Sequence, residues 1–158
     1  MHETSALYFA RGIELAVLTP DEAKEWATRL VTASSPGFEE VIDSALALST
    51  NELVTTLREA SIGANTRQAS EWLIHAVMKK YQAGKILGHD AVVLALSVSA
   101  SCDHIDAMER FDGICDLFSL AELGQHGTIA ECIPDLDSAF SLYAKRKPYE
   151  GFENITIL

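Results

Sequence analysis

Apolar residues recur every three or four positions along most of this chain, in segments that polar and helix-capping residues separate. This spacing places the apolar side chains on one face of an α-helix. The first such segment covers roughly residues 4–17. A second helix is predicted to start at Thr19-Pro20-Asp21-Glu22, because Thr19 can cap it, Pro20 suits its first position and Glu22 completes a capping box.

The middle of the chain repeats this arrangement. Ser35-Pro36 predicts the start of a third helix, and the motif Ser49-Thr50-Asn51-Glu52 is a second capping box that predicts a fourth. Asn65 or Thr66 begins a longer fifth helix, which a glycine at position 84 ends. The run 91–96 is apolar nearly all round, which predicts a central, buried helix. Its valine content also allows a strand, but the sequence offers no strands to pair with it.

The last third of the chain begins with a strongly acidic helix, predicted from about Asp103 to Leu123. Glycines at 124 and 127 interrupt it, and Thr128 to Glu131 matches a third capping box. Pro134 is predicted to restart the final helix, which runs to about Arg146. Beyond it, residues 148–158 are turn-like and then have strand propensity, so we expect an extended tail that packs on the helices or frays.

These patterns predict an all-α fold with a single domain over residues 1–147, either a bundle or a short solenoid of six to seven helices. Short loops between helices favour antiparallel neighbours. The helical periodicity predicts a largely buried set of large apolar side chains, namely Trp26, Leu30, Ile42, Leu46, Leu57, Trp72, Val77, Leu94 and Leu96.

Composition narrows the class of protein. The 158 residues suit one domain that folds on core packing alone. A net charge of −11 disfavours nucleic acid and favours a basic protein partner. No apolar run is long enough to span a bilayer, and the first residues lack the features of a signal peptide, so we expect a cytoplasmic protein without membrane contact. Three cysteines, an odd number without a close pair, suit a reducing compartment.

The negative charge is concentrated between Asp103 and Asp137, which holds nine acidic residues and a single base, Arg110. Eight of the eleven net negative charges therefore lie in about a fifth of the chain. An ordinary solvated face would mix charges of both signs and gain ion pairs between helical neighbours. The shortage of bases favours a docking surface for a basic partner, with these partner-binding residues: Asp103, Asp106, Glu109, Asp112, Asp116, Glu131, Asp135 and Asp137.

The sequence supports a metal site or a catalytic site less well than a docking surface. Several side chains are of types that bind metal ions: Asp103, His104 and Asp106, and also His126, which lies near Glu131. None of these groups has the spacing of a known metal motif. Cys102-Asp103-His104 places a thiol, an acid and an imidazole on consecutive residues, which point in different directions on a helix. We therefore predict no metal, no cofactor and no catalytic residue.

The stretch from Arg11 to Ala27, with its Leu-Thr-Pro-x-Glu step followed by a Trp-Ala pair, resembles the opening of small bacterial immunity proteins. These proteins accompany polymorphic or contact-dependent toxins. The resemblance covers about the first 45 residues and carries no binding residue over to this chain. It implies a cytosolic, acidic, single-domain protein that neutralises one toxin by binding it.

The leading hypothesis is thus a stoichiometric inhibitor whose acidic segment masks the basic active-site cleft of a toxin such as a nuclease. Apolar residues beside the acids would supply the centre of the interface, with Phe111, Ile114, Phe118 and Tyr143 as candidates. A helical adaptor or regulatory subunit fits the composition equally well. A small helical enzyme that uses carboxylate or Cys/His pairs is the third alternative.

Overall fold

The computed structural model describes residues 2–33 and 39–148, and over these ranges the chain is all-helical, as predicted. The described residues form eight helices and no strand, one helix more than the largest predicted number. The run 91–96 is helical, so the strand alternative is wrong. The helices are α1 (His2–Glu14), α2 (Pro20–Ala33), α3 (Glu39–Leu46), α4 (Thr50–Ala60), α5 (Thr66–Gln82), α6 (Gly88–Ser101), α7 (Ile105–Glu122) and α8 (Ile129–Ser141).

The chain divides into two compact units. Within the described residues, the first contains residues 2–33 and 39–69 together with Pro148, and the second contains Ser70–Lys147. The sequence predicts a single domain over residues 1–147, arranged as a bundle or solenoid. The division into two units does not decide this, so the single domain stays a prediction. The predicted start of the third helix at Ser35-Pro36 and, apart from Pro148, the predicted extended tail lie outside the described residues.

Capping side chains begin several helices where the sequence predicts them. The Thr19 backbone N–H donates to Glu22 Oε2 at 2.7 Å, and the Glu22 N–H donates to Thr19 Oγ1 at 3.3 Å. Thr128 and Glu131 form the same reciprocal pair at the start of α8. At α4 only half of the predicted box forms, since Ser49 Oγ accepts from the Glu52 N–H while the Glu52 carboxylate accepts from the Leu48 N–H instead. The caps are local bonds over three or four residues, which is why sequence reveals them.

Pro134 does not restart the last helix, contrary to the prediction. It lies inside α8, which already begins at Ile129 because Thr128 caps it, and the helix ends at Ser141 rather than near Arg146. A proline at this position leaves the carbonyl of Ala130 without its helical N–H donor. Ala130 is exposed, so water can satisfy that carbonyl.

The first unit packs α1 and α3 against α4, and α2 against α3. Phe9 and Trp26 meet at a ring-centroid distance of 5.1 Å, and Val41, Leu53 and Leu57 are fully buried. The predictions for Trp26 and Leu57 are thereby confirmed. Three others are wrong, since Ile42 and Leu46 are exposed and Leu30 is only half-buried. The short helix α3 turns Val41 and Ser44 toward the core, which leaves Ile42 and Leu46 on other sides of the helix.

The second unit packs α6 and α8 against α7 around an aromatic centre of Phe111, Phe118 and Phe140. Trp72 and Val77 of α5 are buried, as predicted. Leu94 and Leu96 are only half-buried, so their prediction as core residues is wrong. The buried face of α6 consists of small side chains at helical spacing, which let another helix approach closely: Ala91, Val92, Ala95, Val98 and Ser99.

We expect that position 12, near the end of α1, has no room for a side chain. The Leu18 N–H donates to the Gly12 carbonyl at 2.9 Å, and this turn brings Leu18 over the glycine. A Cβ added there would lie 2.4 Å from Leu18 Cδ1 and 3.0 Å from Leu18 Cβ. Gly12→Ala should therefore destabilise the protein by about 1–3 kcal/mol, as overpacking does, although Gly to Ala in a helix normally stabilises by about 0.5–1 kcal/mol.

Urea denaturation of both Gly12→Ala and Gly113→Ala checks this expectation. Gly113 lies on the exposed side of α7, and a Cβ there would have nothing within 4 Å, so Gly113→Ala should stabilise. If both substitutions changed the free energy of unfolding by the same amount and in the same direction, the proposed clash with Leu18 would be contradicted.

Candidate partner-binding surface

The two faces of α7 divide its residues by chemistry. Its buried residues, Ala107, Phe111, Ile114 and Phe118, follow one another at intervals of four, three and four positions. The opposite face exposes Glu109, Asp112 and Asp116, which are also three and four positions apart and so lie next to one another on the helix surface. We call these three residues the acidic stripe. Packing of the aromatic face thus fixes the acidic stripe toward solvent.

All eight predicted partner-binding residues are exposed in the second unit, but they do not form one uniform band. Glu131 and Asp135 of α8 line an open cleft of about 440 Å³ with Leu117 of α7 and His126. Asp137 lies apart from that cleft. It lies close to Tyr81 of α5, and the pKa of Tyr81 is raised by burial and, to a smaller extent, by this carboxylate.

Arg110, the base in this segment, forms no bond to the acidic stripe in the described ranges and instead holds a residue beyond α8. Arg110 Nη1 donates to the hydroxyl of Tyr143 at 2.8 Å, in a half-buried position. Glu122 pairs with His89, whose Nδ1 lies 2.8 Å from the carboxylate. Within the part of the chain that the structure describes, the acidic stripe has no ion-pair or hydrogen-bond partner for its carboxylates. Its like charges therefore oppose one another without compensation.

Glu131 has a structural task besides its charge. Its Oε2 accepts from the Thr128 backbone N–H at 2.7 Å and from the Thr128 hydroxyl at 3.1 Å, which completes the capping box of α8. Replacing Glu131 would disturb the start of that helix as well as the surface charge. The acidic stripe, without such bonds, is the cleaner target for mutation.

The predicted apolar centre of the interface is wrong. All four candidates are buried: Phe111, Ile114 and Phe118 form the face of α7 that packs inside the unit, and Tyr143 lies in the turn just after α8. The exposed apolar residues are others, with Ile105 at 51% and Leu123 at 69% exposure. Ile105 lies four positions before Glu109 and Leu123 seven after Asp116, so both continue the acidic stripe. The same periodicity could have revealed them once the core face was known.

The residues considered for catalysis lie in different environments. His104 is buried, and its Nδ1 lies 3.1 Å from the hydroxyl of buried Ser70. Cys102 Sγ lies 3.7 Å from the hydroxyl of Ser101, while Asp103 is exposed. A nucleophile and its base must meet in space and reach a substrate. The Ser70–His104 pair meets but is closed to solvent.

Burial, and secondarily nearby carboxylates, raise the pKa of the thiols of Cys115 and Cys132. The strongest of these carboxylates are Asp116 for Cys115 and Asp135 for Cys132. A raised pKa lowers the thiolate fraction and hence the nucleophilicity of a cysteine at neutral pH. Among the described residues, no group of three His, Cys, Asp or Glu side chains is placed to hold a metal ion.

Cys115 and Cys132 are therefore expected to react more slowly with iodoacetamide at pH 7 than the same cysteines in urea. The difference should shrink as the pH rises through the raised folded-state pKa, because the thiolate then forms in the folded protein too. Salt should speed the reaction of Cys115 by screening Asp112 and Asp116. Both cysteines lie between the trypsin sites Arg110 and Lys145, so the labelled protein is digested with a protease that cleaves after glutamate, at Glu122 and Glu131, and the separated peptides are measured by mass spectrometry. A thiol that reacts faster in the folded than in the unfolded protein at pH 7 would contradict the expectation.

None of the helices in the described ranges combines the length and the apolar composition needed to cross a membrane. Comparison of the chain with protein-family models, with curated proteins and with solved structures finds no match. The resemblance of the first 45 residues to immunity proteins therefore stays a prediction, and function has to be proposed from the surface itself.

Proposed function

We propose that this chain is a non-enzymatic binding protein that docks a basic protein on α7 and α8, and that it serves as an immunity protein for a cognate toxin. The observation that supports this most is the acidic stripe, which is exposed and has no basic partner in the described part of the chain. Like charges at helical spacing cost stability. A basic partner would convert that cost into attraction.

The proposed mechanism is steric and electrostatic. The acidic stripe imitates the charge of a phosphate backbone and is attracted to the basic cleft of an enzyme such as a nuclease. Once docked, the helix covers that cleft and excludes the substrate. This mechanism needs neither a cofactor nor a catalytic residue on the chain.

Exposed apolar residues at the ends of the stripe supply the second part of the interface. Ile105 and Leu123 are separated by eighteen positions, which corresponds to about 27 Å along a helix. Buried apolar anchors surrounded by polar contacts are the usual source of binding energy in protein interfaces. We propose that these two residues, rather than the buried aromatic side chains, contact the partner at either end of the acids.

Capture experiments test the proposal. The tagged chain is compared with a stripe variant (Glu109→Gln, Asp112→Asn, Asp116→Asn) and with a matched variant on α3 (Glu39→Gln, Glu40→Gln, Asp43→Asn). The product of the adjacent gene is the first candidate partner. We expect the wild-type chain and the α3 variant to retain a basic protein that the stripe variant loses.

Co-expression then separates inhibition from simple adaptor binding. The wild-type chain should suppress the activity and toxicity of the captured partner, whereas an adaptor would leave both unchanged. Equal capture by all three chains would refute docking by the stripe, and a captured partner whose activity persists would refute the immunity role alone.

A further inference from the structure

Among the residues that the structure describes, none covers an apolar face of α3 in the first unit, and this face is separate from the acidic stripe. Ile42 is 40% exposed and Leu46 69% exposed, and they lie one helical turn apart. The core side of α3 carries Val41 and Ser44, and the Ser44 hydroxyl bonds Thr56 of α4 at 3.0 Å. Packing therefore fixes which side of α3 is buried and leaves Ile42 and Leu46 in solvent. We call this pair the α3 face.

Acidic residues border the α3 face. Glu39, Glu40 and Asp43 are exposed, and α3 has no lysine or arginine. In the described ranges no basic side chain pairs with these three carboxylates.

The nearby bases are engaged elsewhere in this unit. Arg11 and Arg58 both pair with Glu14, and Arg29 pairs with Glu25. Lys24 donates to the carbonyl of Ala47, just beyond the end of α3. The acidic border is therefore available to a partner from outside the chain.

This border discriminates between possible occupants of the α3 face. A second copy of the chain would place acid against acid across a symmetric contact, which like charges oppose. An anionic membrane surface is repelled for the same reason. A helix with an apolar stripe and flanking lysine or arginine residues matches both the apolar pair and its acidic border.

We infer that the α3 face docks a basic amphipathic helix of a second partner protein, distinct from the partner proposed for the acidic stripe. The ridge formed by residues four positions apart suits packing against a second helix. Recognition of this type uses anchors at three- and four-residue spacing on the incoming helix. The eight residues of α3 are about 12 Å long, so two to three turns of the partner make the contact.

A synthetic peptide tests the inference on the full-length chain. The probe is an acetylated, fluorescent, alanine-based helix of about 18 residues with leucines on one face and lysines beside them, a length at which isolated helices begin to form. A second peptide has the same composition with leucine and lysine positions reordered so that no face is apolar. A third replaces the lysines with glutamate. Binding is followed by fluorescence anisotropy, and the contact is mapped by amide chemical shifts.

We expect the lysine amphipathic peptide to bind at least tenfold more tightly than the other two peptides, with shifts centred on α3. Leu46→Ser should weaken binding at least tenfold, and Glu39→Gln with Asp43→Asn should weaken it and reduce its salt dependence. Ile62→Ser, at a residue 81% exposed and outside α3, should leave binding unchanged. The stripe variant on α7 should also bind normally, which keeps this test separate from the proposed function.

Unchanged affinity of Leu46→Ser, or equally tight binding of the glutamate peptide, would overturn the inference. Sedimentation that shows a dimer which Leu46→Ser dissolves would assign the face to self-association instead. Circular dichroism of each variant verifies folding, and the exposed positions of the substituted residues favour intact folds.

Discussion

Phe111→Ala is expected to lower the free energy of unfolding by about 3–5 kcal/mol, as removal of a buried aromatic side chain generally does. Phe111 is fully buried in the second unit. Its ring centroid lies 5.5 Å from that of Phe140 and 6.0 Å from that of Tyr143, so one substitution removes two aromatic contacts. Because Tyr143 also accepts the bond from Arg110, the cavity would loosen α8 where it meets α7.

Urea denaturation followed by circular dichroism measures this change. Leu142→Ala, at a position 57% exposed, is the control. It should lower the free energy of unfolding by much less than Phe111→Ala does. A stable Phe111→Ala protein that has lost partner binding would contradict the structure and restore Phe111 as an interface residue.

Neutralising the acidic stripe should slow association with the true partner at least tenfold at low salt. Charge-steered association reaches about 10⁸–10⁹ M⁻¹s⁻¹, against roughly 10⁵–10⁶ M⁻¹s⁻¹ for neutral surfaces. The Debye length falls from about 30 Å at 0.01 M salt to about 8 Å at 0.15 M. The difference between the wild-type chain and the stripe variant should therefore shrink over this range, with a smaller change in the dissociation rate.

Stopped-flow measurements on the captured partner give these rates. The variant Glu39→Gln, Glu40→Gln, Asp43→Asn removes as many charges from α3 and should slow association much less. The stripe variant should be at least as stable as the wild-type chain, because it relieves repulsion between helical neighbours. If the two variants associate with the partner at the same rate, or if the association rate does not depend on the salt concentration, the acidic stripe is an ordinary solvated surface.

Local chemistry accounts for what the sequence predicted well. Thr19 and Thr128 cap helices through bonds to residues three positions away, so the motif contains all the atoms involved. The exposure of the acidic stripe on α7 also follows locally, since carboxylates without partners stay in water. The all-α class follows from the same repeated signals.

The wrong predictions concern apolar side chains whose surroundings are distant in sequence. The run 91–96 is apolar nearly all round, so its pattern does not show which side of the helix is buried. The close packing of α6 on α7 buries the smaller residues Ala91, Val92 and Ala95 more fully than Leu94 and Leu96. On α3 the pattern contains more apolar residues than the short contact can bury, and Ile42 and Leu46 remain outside.

By itself, then, the sequence determined the helices, most of their starting points and the solvent exposure of the acidic residues, because each depends on groups within one or two turns. Only the tertiary structure decided that Phe111 and Tyr143 are core, that Arg110 bonds the hydroxyl of Tyr143, and that Ile105 and Leu123 stay exposed. Those outcomes depend on which helices meet. A periodic pattern defines faces on a helix, but the neighbouring helix determines which of them is buried.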